Sequence, residues 1–213
     1  MGAYRPAILT LFDSLPVYVR TRAGVSVCHA GAAAEIEDPA LAARVFDYSH
    51  RRVLDAIVHT VPTDRRAAVR AALSGPGGES YDQMARDYLA VTGHDDPRYD
   101  DLLIGALVSD QPDFELLYAA LFTGNEWERG KKAYARSLRA LLEHLSQGFH
   151  PQRALVAGHL VCRGGYALVS DRQLRLASGS HARPPESGRY LLFAAEKPVD
   201  RDGLVAGLGS VHD

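Results

Sequence analysis

The stretch AGHLVCRGGYALVSDRQLRLASGS, from Ala157 to Ser180, carries the strongest structural signal of the chain. The short apolar run Arg153–Gly158 comes directly before its first histidine and is bounded by a proline and a glycine, which predicts a buried strand rather than a helix. His159 therefore follows a strand end, and α/β proteins build their sites at this carboxyl edge of the sheet. The same stretch predicts two further strands, Tyr166–Ser170 and Leu174–Ala177.

A second histidine follows a strand near the start of the chain. The segment VSVCHAG, Val25–Gly31, is again a short apolar strand followed by His29 and by small residues that allow backbone and ligand to approach closely. If both strands belong to one sheet, His29 and His159 lie close in space although they are far apart in sequence. Two neutral imidazoles at one sheet edge predict a metal site.

Composition is that of an ordinary globular protein. The 213 residues are 46% hydrophobic and 23% charged, which suits one domain with a sizeable core. A formal net charge of -2 predicts neither nucleic-acid nor anionic-membrane binding. No apolar run reaches the roughly 20 residues needed to span a bilayer, and the two cysteines lie in predicted core strands. We therefore expect a cytoplasmic protein.

The hydrophobic pattern predicts helices in the middle of the chain and strands on both sides of them. A hairpin is expected from Val17–Arg20 and Val25–His29, and one long helix from Pro39–Thr60. The helical block 35–110 is interpreted as an insertion or cap within a single domain, 1–213. Outside these segments we predict a short helix at Pro6–Leu15, a helix at Lys131–Leu145, strands at Ala154–Ala157 and Tyr190–Ala194, and a loose tail at Arg201–Asp213.

Three groups of residues resemble a known family. They are Leu15-Pro16 with Val27-Cys28-His29-Ala30-Gly31, then Trp127-Glu128-Arg129-Gly130, and finally Gly158-His159 with Gly165-Tyr166 and Arg172-Gln173-Leu174. Together they resemble the calcineurin-like metallophosphoesterases, in the phosphoprotein-phosphatase (serine/threonine phosphatase-like) branch. The likeness covers about residues 8–31 and 120–195. It implies an α/β fold equivalent to the C-terminal half of the family's αββα sandwich.

The resemblance also implies a function and assigns residues to it. His29 and His159 would ligate one metal of a dinuclear pair, and Arg129 would clamp the substrate phosphate. A histidine would be the proton donor to the leaving group; His181 at the site edge is the catalytic candidate, and a solvated loop histidine is the alternative interpretation of that residue. The activity would be metal-dependent hydrolysis of a phosphoprotein or a small phosphoester by metal-activated water. Mn²⁺ is the expected ion, with Fe or Zn²⁺ as alternatives.

The family's carboxylate-bearing elements are not found in the chain, and this leaves alternatives open. Two histidines without a bridging carboxylate hold hard divalent ions poorly. The missing N-terminal half is expected upstream of Met1 or on another chain; alternatively, the protein is a non-catalytic interaction module derived from a phosphatase half-fold. A half sheet would leave an unpaired apolar edge, which predicts self-association or a partner strand. Two weaker alternatives are a Cys₂His₂ zinc site with Cys28 and Cys162, and a late carboxylate from Asp110 or Asp113.

Overall fold

The computed structural model describes residues 14–74 and 78–212. The chain forms two compact units. The first, here called the sheet unit, comprises residues 1–43 and 118–213, and the second, the helical unit, comprises residues 44–117. The predicted insertion was 35–110, whereas the observed helical unit begins and ends several residues later. The helix predicted at Pro6–Leu15 lies almost entirely outside the described residues.

The sheet unit is built on a mixed five-stranded sheet with the order β1-β2-β3-β6-β5. Strands β2, β3 and β6 are parallel, and antiparallel β1 and β5 form the two edges. The chain is therefore mixed α/β, as predicted. The strands are β1 (Tyr18–Arg20), β2 (Val25–Cys28), β3 (Ala154–Ala157), β5 (Tyr166–Ser170) and β6 (Gln173–Leu176). The predicted hairpin is confirmed, and the bounds of β3 and β5 agree with the prediction.

Two smaller sheets complete the strands of this unit. One pairs β4 (Cys162–Arg163) with β7 (Ala182–Arg183), and the other pairs β8 (Arg189–Leu191) with β9 (Leu208–Ser210). Strand β9 and a short helix before it replace the loose tail predicted for Arg201–Asp213, so that prediction was wrong. The helix buries Leu204 against the large sheet, and this burial fixes the end of the described chain.

The helices of the described chain are mostly short. One helix was predicted over the whole of Pro39–Thr60, but the structure has two. The first helix ends before residue 47, and Ser49 caps the second by accepting a hydrogen bond from the Arg52 amide. The α-helices are α1 (Pro39–Phe46), α2 (His50–Thr60), α3 (Thr63–Ser74), α4 (Tyr81–Leu89), α5 (Asp101–Ser109), α6 (Pro112–Tyr118), α7 (Glu126–Arg129), α8 (Lys131–Ser146) and α9 (Arg201–Ala206). A π-helical turn, Ala119–Thr123, lies between α6 and α7.

The two faces of the large sheet differ in chemistry because side chains alternate along each strand. One face is apolar and packs Val25, Val156 and Leu174 against Leu204 of α9. The other face carries polar side chains, and there Gln173 accepts a hydrogen bond from the Tyr134 hydroxyl of α8. Polar groups on a buried sheet face need specific partners, and these partners hold the site loops described below.

The helical unit has its own hydrophobic core. Tyr81 and Tyr99 pack edge to face at its centre, with ring centroids 5.1 Å apart. Arg66 and Arg70 both pair with Asp100 beside this core. The remaining buried core residues of the unit are Ile57, Ala85, Val91, Leu103, Leu107 and Val108. Within residues 14–74 and 78–212, no helix is both long and apolar enough to cross a membrane.

Candidate metal site at the carboxyl edge of the sheet

The two histidines predicted from the sequence meet at one edge of the large sheet. Strands β2 and β3 are parallel, with Cys28 opposite Ala157, so the residues just after them leave the sheet side by side. The Gly158 amide donates a hydrogen bond of 3.0 Å to the His29 carbonyl and ties the two strand ends together. The His29 Nε2 and His159 Nδ1 atoms are 3.0 Å apart, and both side chains are exposed. The predicted proximity of the rings is confirmed.

The short nitrogen-to-nitrogen distance limits how many protons the two facing nitrogens can carry. Only one of the two nitrogens can carry a proton, because a hydrogen bond needs a donor and a lone pair. Burial lowers the pKa of His29, and the nearby His159 and His181 lower it further. His29 is therefore held neutral at neutral pH, which is the form in which imidazole binds metals.

His159 has a backbone conformation that is unusual for a residue with a side chain. Its φ is 73°, in the left-handed region that favours glycine. This conformation costs on the order of 1 kcal/mol, and such strained residues cluster at functional sites.

The loop that carries His29 is fixed by its backbone. The Ala30 amide donates to the Leu121 carbonyl at 3.2 Å, and the Gly31 amide donates to the Gly124 carbonyl at 2.9 Å. The Phe122 ring stacks on His29 at 5.4 Å between centroids. The small residues after His29 were predicted to admit a ligand, whereas at Gly31 the space is taken by Tyr134 and by the Gly124 backbone.

Arg129, the predicted phosphate clamp, is the last residue of α7 and forms an ion pair. Its Nη1 atom donates to Glu37 Oε1 at 3.0 Å. Arg136 Nε also approaches this carboxylate, at 3.4 Å from Glu37 Oε2. Ser137 donates to the same carboxylate at 2.7 Å. The phosphate-binding role of Arg129 stays a prediction, and it requires a phosphate to compete with Glu37.

His181, the predicted proton donor, lies in a single 3₁₀ turn, Gly179–His181, and is exposed. Its ring nitrogen Nδ1 is 3.4 Å from Ser180 Oγ. It lies close enough to His29 to lower the pKa of that ring. The structure thus groups three histidines electrostatically, although the direct contact is between His29 and His159.

One element of the site region was missed in the sequence. Glu126 and Arg175 form a buried bidentate ion pair, with Arg175 Nη1 2.9 Å from Glu126 Oε1 and a second bond from Nη2 to Oε2. Burial acts to raise the pKa of Glu126, but the hydrogen bonds from Arg175 outweigh it and the pKa is lowered overall. The available signal was the alternation Gln173, Arg175 in an otherwise apolar strand, because a charge at a buried strand position demands a partner.

The spacing of the histidine pair can be compared with the geometry of a metal site. With nitrogen-to-metal distances of about 2.1 Å, two nitrogens 3.0 Å apart would subtend an angle of about 90°, the cis angle of an octahedral ion such as Mn²⁺. Among the described residues, no group of three or more His, Cys, Asp or Glu side chains is arranged to hold a metal ion. An ion held by this pair would therefore need further ligands.

The two weaker alternatives gain no support from the geometry. Burial raises the pKa of the Cys28 thiol to about 12 and also raises that of Cys162, which disfavours the thiolates that zinc needs. Asp113 pairs with Arg44 at 2.6 Å inside the helical unit, and Asp110 ends helix α5 there. Comparison of the chain with protein-family models, curated proteins and solved structures finds no match.

Proposed function

We propose that this chain supplies the histidine side of a metal centre for phosphoester hydrolysis. The observation that carries the proposal is the 3.0 Å approach of His29 Nε2 to His159 Nδ1 at the carboxyl ends of two parallel strands. Metal ions supply this chemistry by lowering the pKa of a water molecule and by neutralising phosphate oxygens. The substrate would be a phosphoprotein or a small phosphoester.

The rest of the proposal follows the resemblance seen in the sequence. The fold would correspond to the C-terminal half of a metallophosphoesterase sandwich, with Mn²⁺ as the expected ion and carboxylate ligands supplied from outside the described residues. Arg129 would exchange Glu37 for a substrate phosphate, since its planar fork suits either anion. His181 would stand at the rim, within reach of a leaving group.

A second candidate is a non-catalytic interaction module derived from such a half-fold. The Arg129–Glu37 ion pair favours it, because a phosphate would have to displace a carboxylate that Arg129, Arg136 and Ser137 already hold. The absence of a third metal ligand among the described residues is equally compatible with this candidate. The two candidates differ in what the histidine pair does, and that can be measured.

Metal titration tests whether the histidine pair is a ligand site. Ni²⁺ is a more sensitive probe than Mn²⁺, because the affinity of nitrogen ligands for first-row divalent ions rises from Mn²⁺ to Ni²⁺. We expect calorimetry to show one Ni²⁺ site that His29→Ala and His159→Gly each weaken at least about tenfold. Glycine is chosen at 159 because it accepts the left-handed backbone without strain.

The control variant is His59→Ala, which removes an exposed imidazole in the helical unit. Equal loss of affinity in this control, or unchanged affinity in both site variants, would show that the pair does not bind metal. For Mn²⁺ itself we expect feeble binding to the 213-residue chain, because two imidazoles lack the anionic oxygens that this ion prefers.

Hydrolysis separates the enzyme from the interaction module. The isolated chain should not turn over p-nitrophenyl phosphate with Mn²⁺, and robust turnover would contradict the need for further ligands. Translation of the DNA upstream of Met1 shows whether Asp-x-His and Gly-Asn-His-Glu elements are encoded in frame. A longer polypeptide with these elements should hydrolyse the ester, and His29→Ala should abolish that activity. If that polypeptide shows no turnover, the interaction module is favoured.

A further inference from the structure

A second concave site lies at the opposite edge of the large sheet. A cavity of about 810 Å³ opens beside the amino ends of β3 and β6, whereas the histidines follow the carboxyl ends of β2 and β3. It is lined by three arginines, Arg153, Arg172 and Arg201, and by two aspartates, Asp171 and Asp200. Cavities of about 300–1,000 Å³ are the usual size of small-molecule sites.

The charged side chains that line this cavity do not form ion pairs with one another. The guanidinium groups of Arg153 and Arg172 make no hydrogen bond or ion pair with the part of the chain that the structure describes, and the same is true of the Asp171 carboxylate. In contrast, Arg201 pairs with Asp202, and Asp200 caps helix α9 through the Gly203 amide. Two solvent-exposed guanidinium groups and one exposed carboxylate therefore line the cavity without a protein partner among the described residues.

We propose that this cavity binds a phosphorylated small molecule that also carries hydroxyl groups, such as a sugar phosphate. Two guanidinium groups match a phosphate dianion, since each can donate two parallel hydrogen bonds to its oxygens. The Asp171 carboxylate accepts hydroxyl donors from the same ligand. The cavity is too large for inorganic phosphate alone, and Pro198 and Val199 give it an apolar wall for a ring.

The proposal is independent of the metal centre. Arg153 and Arg172 flank β3 and β6 at the ends away from His29 and His159, so occupancy of the cavity does not need the histidine pair. The test is therefore done in the presence of a chelator, which removes metal-bound phosphate as a source of signal. The His29→Ala variant should bind the same probes as the wild type.

The experiment is calorimetric titration of the full chain with ribose 5-phosphate, ribose and inorganic phosphate. We expect ribose 5-phosphate to bind more tightly than either fragment, and the double variant R153Q/R172Q to weaken its binding at least about tenfold, because charge-assisted hydrogen bonds are lost. Asp171→Asn should weaken ribose 5-phosphate but leave inorganic phosphate unchanged. Arg139→Gln, an exposed arginine on α8, is the matched control and should change nothing.

Some results would overturn the proposal. They are no binding of ribose 5-phosphate at millimolar concentration, an equal effect of Arg139→Gln and R153Q/R172Q, or an Asp171→Asn variant that binds all three probes like the wild type. All four substituted side chains are exposed, so the variants should fold, and circular dichroism checks this. Absence of Ni²⁺ binding to the wild-type chain, together with intact sugar phosphate binding, would refute only the metal centre.

Discussion

Gly31 tests most directly whether the His29 loop is held as the structure shows. In a Gly31→Ala variant, the added Cβ would overlap the Tyr134 hydroxyl and lie 2.8 Å from Tyr134 Cζ and 2.9 Å from the Gly124 carbonyl oxygen. Real side chains do not tolerate such distances, so Tyr134 must move. Movement breaks the hydrogen bond that Tyr134 donates to Gln173 Oε1.

The expected loss of stability has two parts. Overpacking of a filled site costs about 1–3 kcal/mol. The lost hydrogen bond leaves buried Gln173 without its partner, at a cost of about 1–3 kcal/mol more, and its Nε2 atom already has no partner among the described residues. The free energy of unfolding should fall by about 2–6 kcal/mol, a large share of the total for a typical domain.

Urea unfolding followed by Trp127 fluorescence measures this loss in the sheet unit. Trp127 is the single tryptophan of the chain, and its ring lies 5.8 Å from the Arg175 guanidinium. Gly158→Ala is the matched control beside the other histidine. Its Cβ would meet ordinary contacts of 3.6 and 3.7 Å, so stability should change by less than about 1 kcal/mol.

The double variant G31A/Y134F identifies the cause. Phenylalanine removes the clashing hydroxyl, so the two losses should be less than additive by at least about 1 kcal/mol. A Gly31→Ala variant as stable as Gly158→Ala would refute the packing of this loop. Strict additivity in the double variant would show that the added methyl group does not meet the Tyr134 hydroxyl.

Two further predictions concern the ion pair and the histidine charge. Glu126→Gln leaves the buried Arg175 guanidinium without its counter-charge and should lower the free energy of unfolding by about 3–5 kcal/mol. The exposed control Glu143→Gln should change it little. Equal small losses for the two variants in urea titration would contradict a buried pair. Because the pKa of His29 is lowered on folding, the unfolded chain binds this proton more tightly. Stability should therefore be level above about pH 6.5 and fall as the pH decreases through that value. His29→Asn should flatten this fall in urea midpoints, and identical pH profiles for the variant and the wild type would count against the lowered pKa.

The strands were predictable where local signals marked their ends. Strand β3 is bounded by a proline and a glycine, and β5 by a glycine pair and the Asp171 turn, so both bounds agreed with the structure. The break after α1 was missed because the apolar spacing continues through it, and only the Ser49 cap reveals the new helix. The final helix was missed although Asp200 is an ordinary N-cap signal, because six residues are too few to show a helical period.

In the candidate site, too, the features that depend on local sequence were predicted and those that depend on distant contacts were not. Both histidines follow strand ends, and the parallel pairing of those strands is enough to bring them together. The partners of the charged residues were beyond prediction: Glu37 and Arg129 are 92 residues apart, and Glu126 and Arg175 are 49 apart. Such pairs depend on which helix packs where, and one sequence does not show that.

The geometry of the histidine pair costs more than it contributes to stability, and this supports the proposed ligand role. His159 occupies a left-handed backbone conformation that glycine would adopt without cost. The His29 ring is partly desolvated and is coupled electrostatically to His159 and His181, so its protonated form is disfavoured. In exchange, the two rings gain one hydrogen bond on an exposed surface, which contributes little. In the proposed metal centre, His29 and His159 would each offer a ring nitrogen to the ion in place of this hydrogen bond. This reasoning predicts that His159→Gly keeps or raises stability while it removes Ni²⁺ binding, and a variant that unfolds instead would assign His159 a purely structural role.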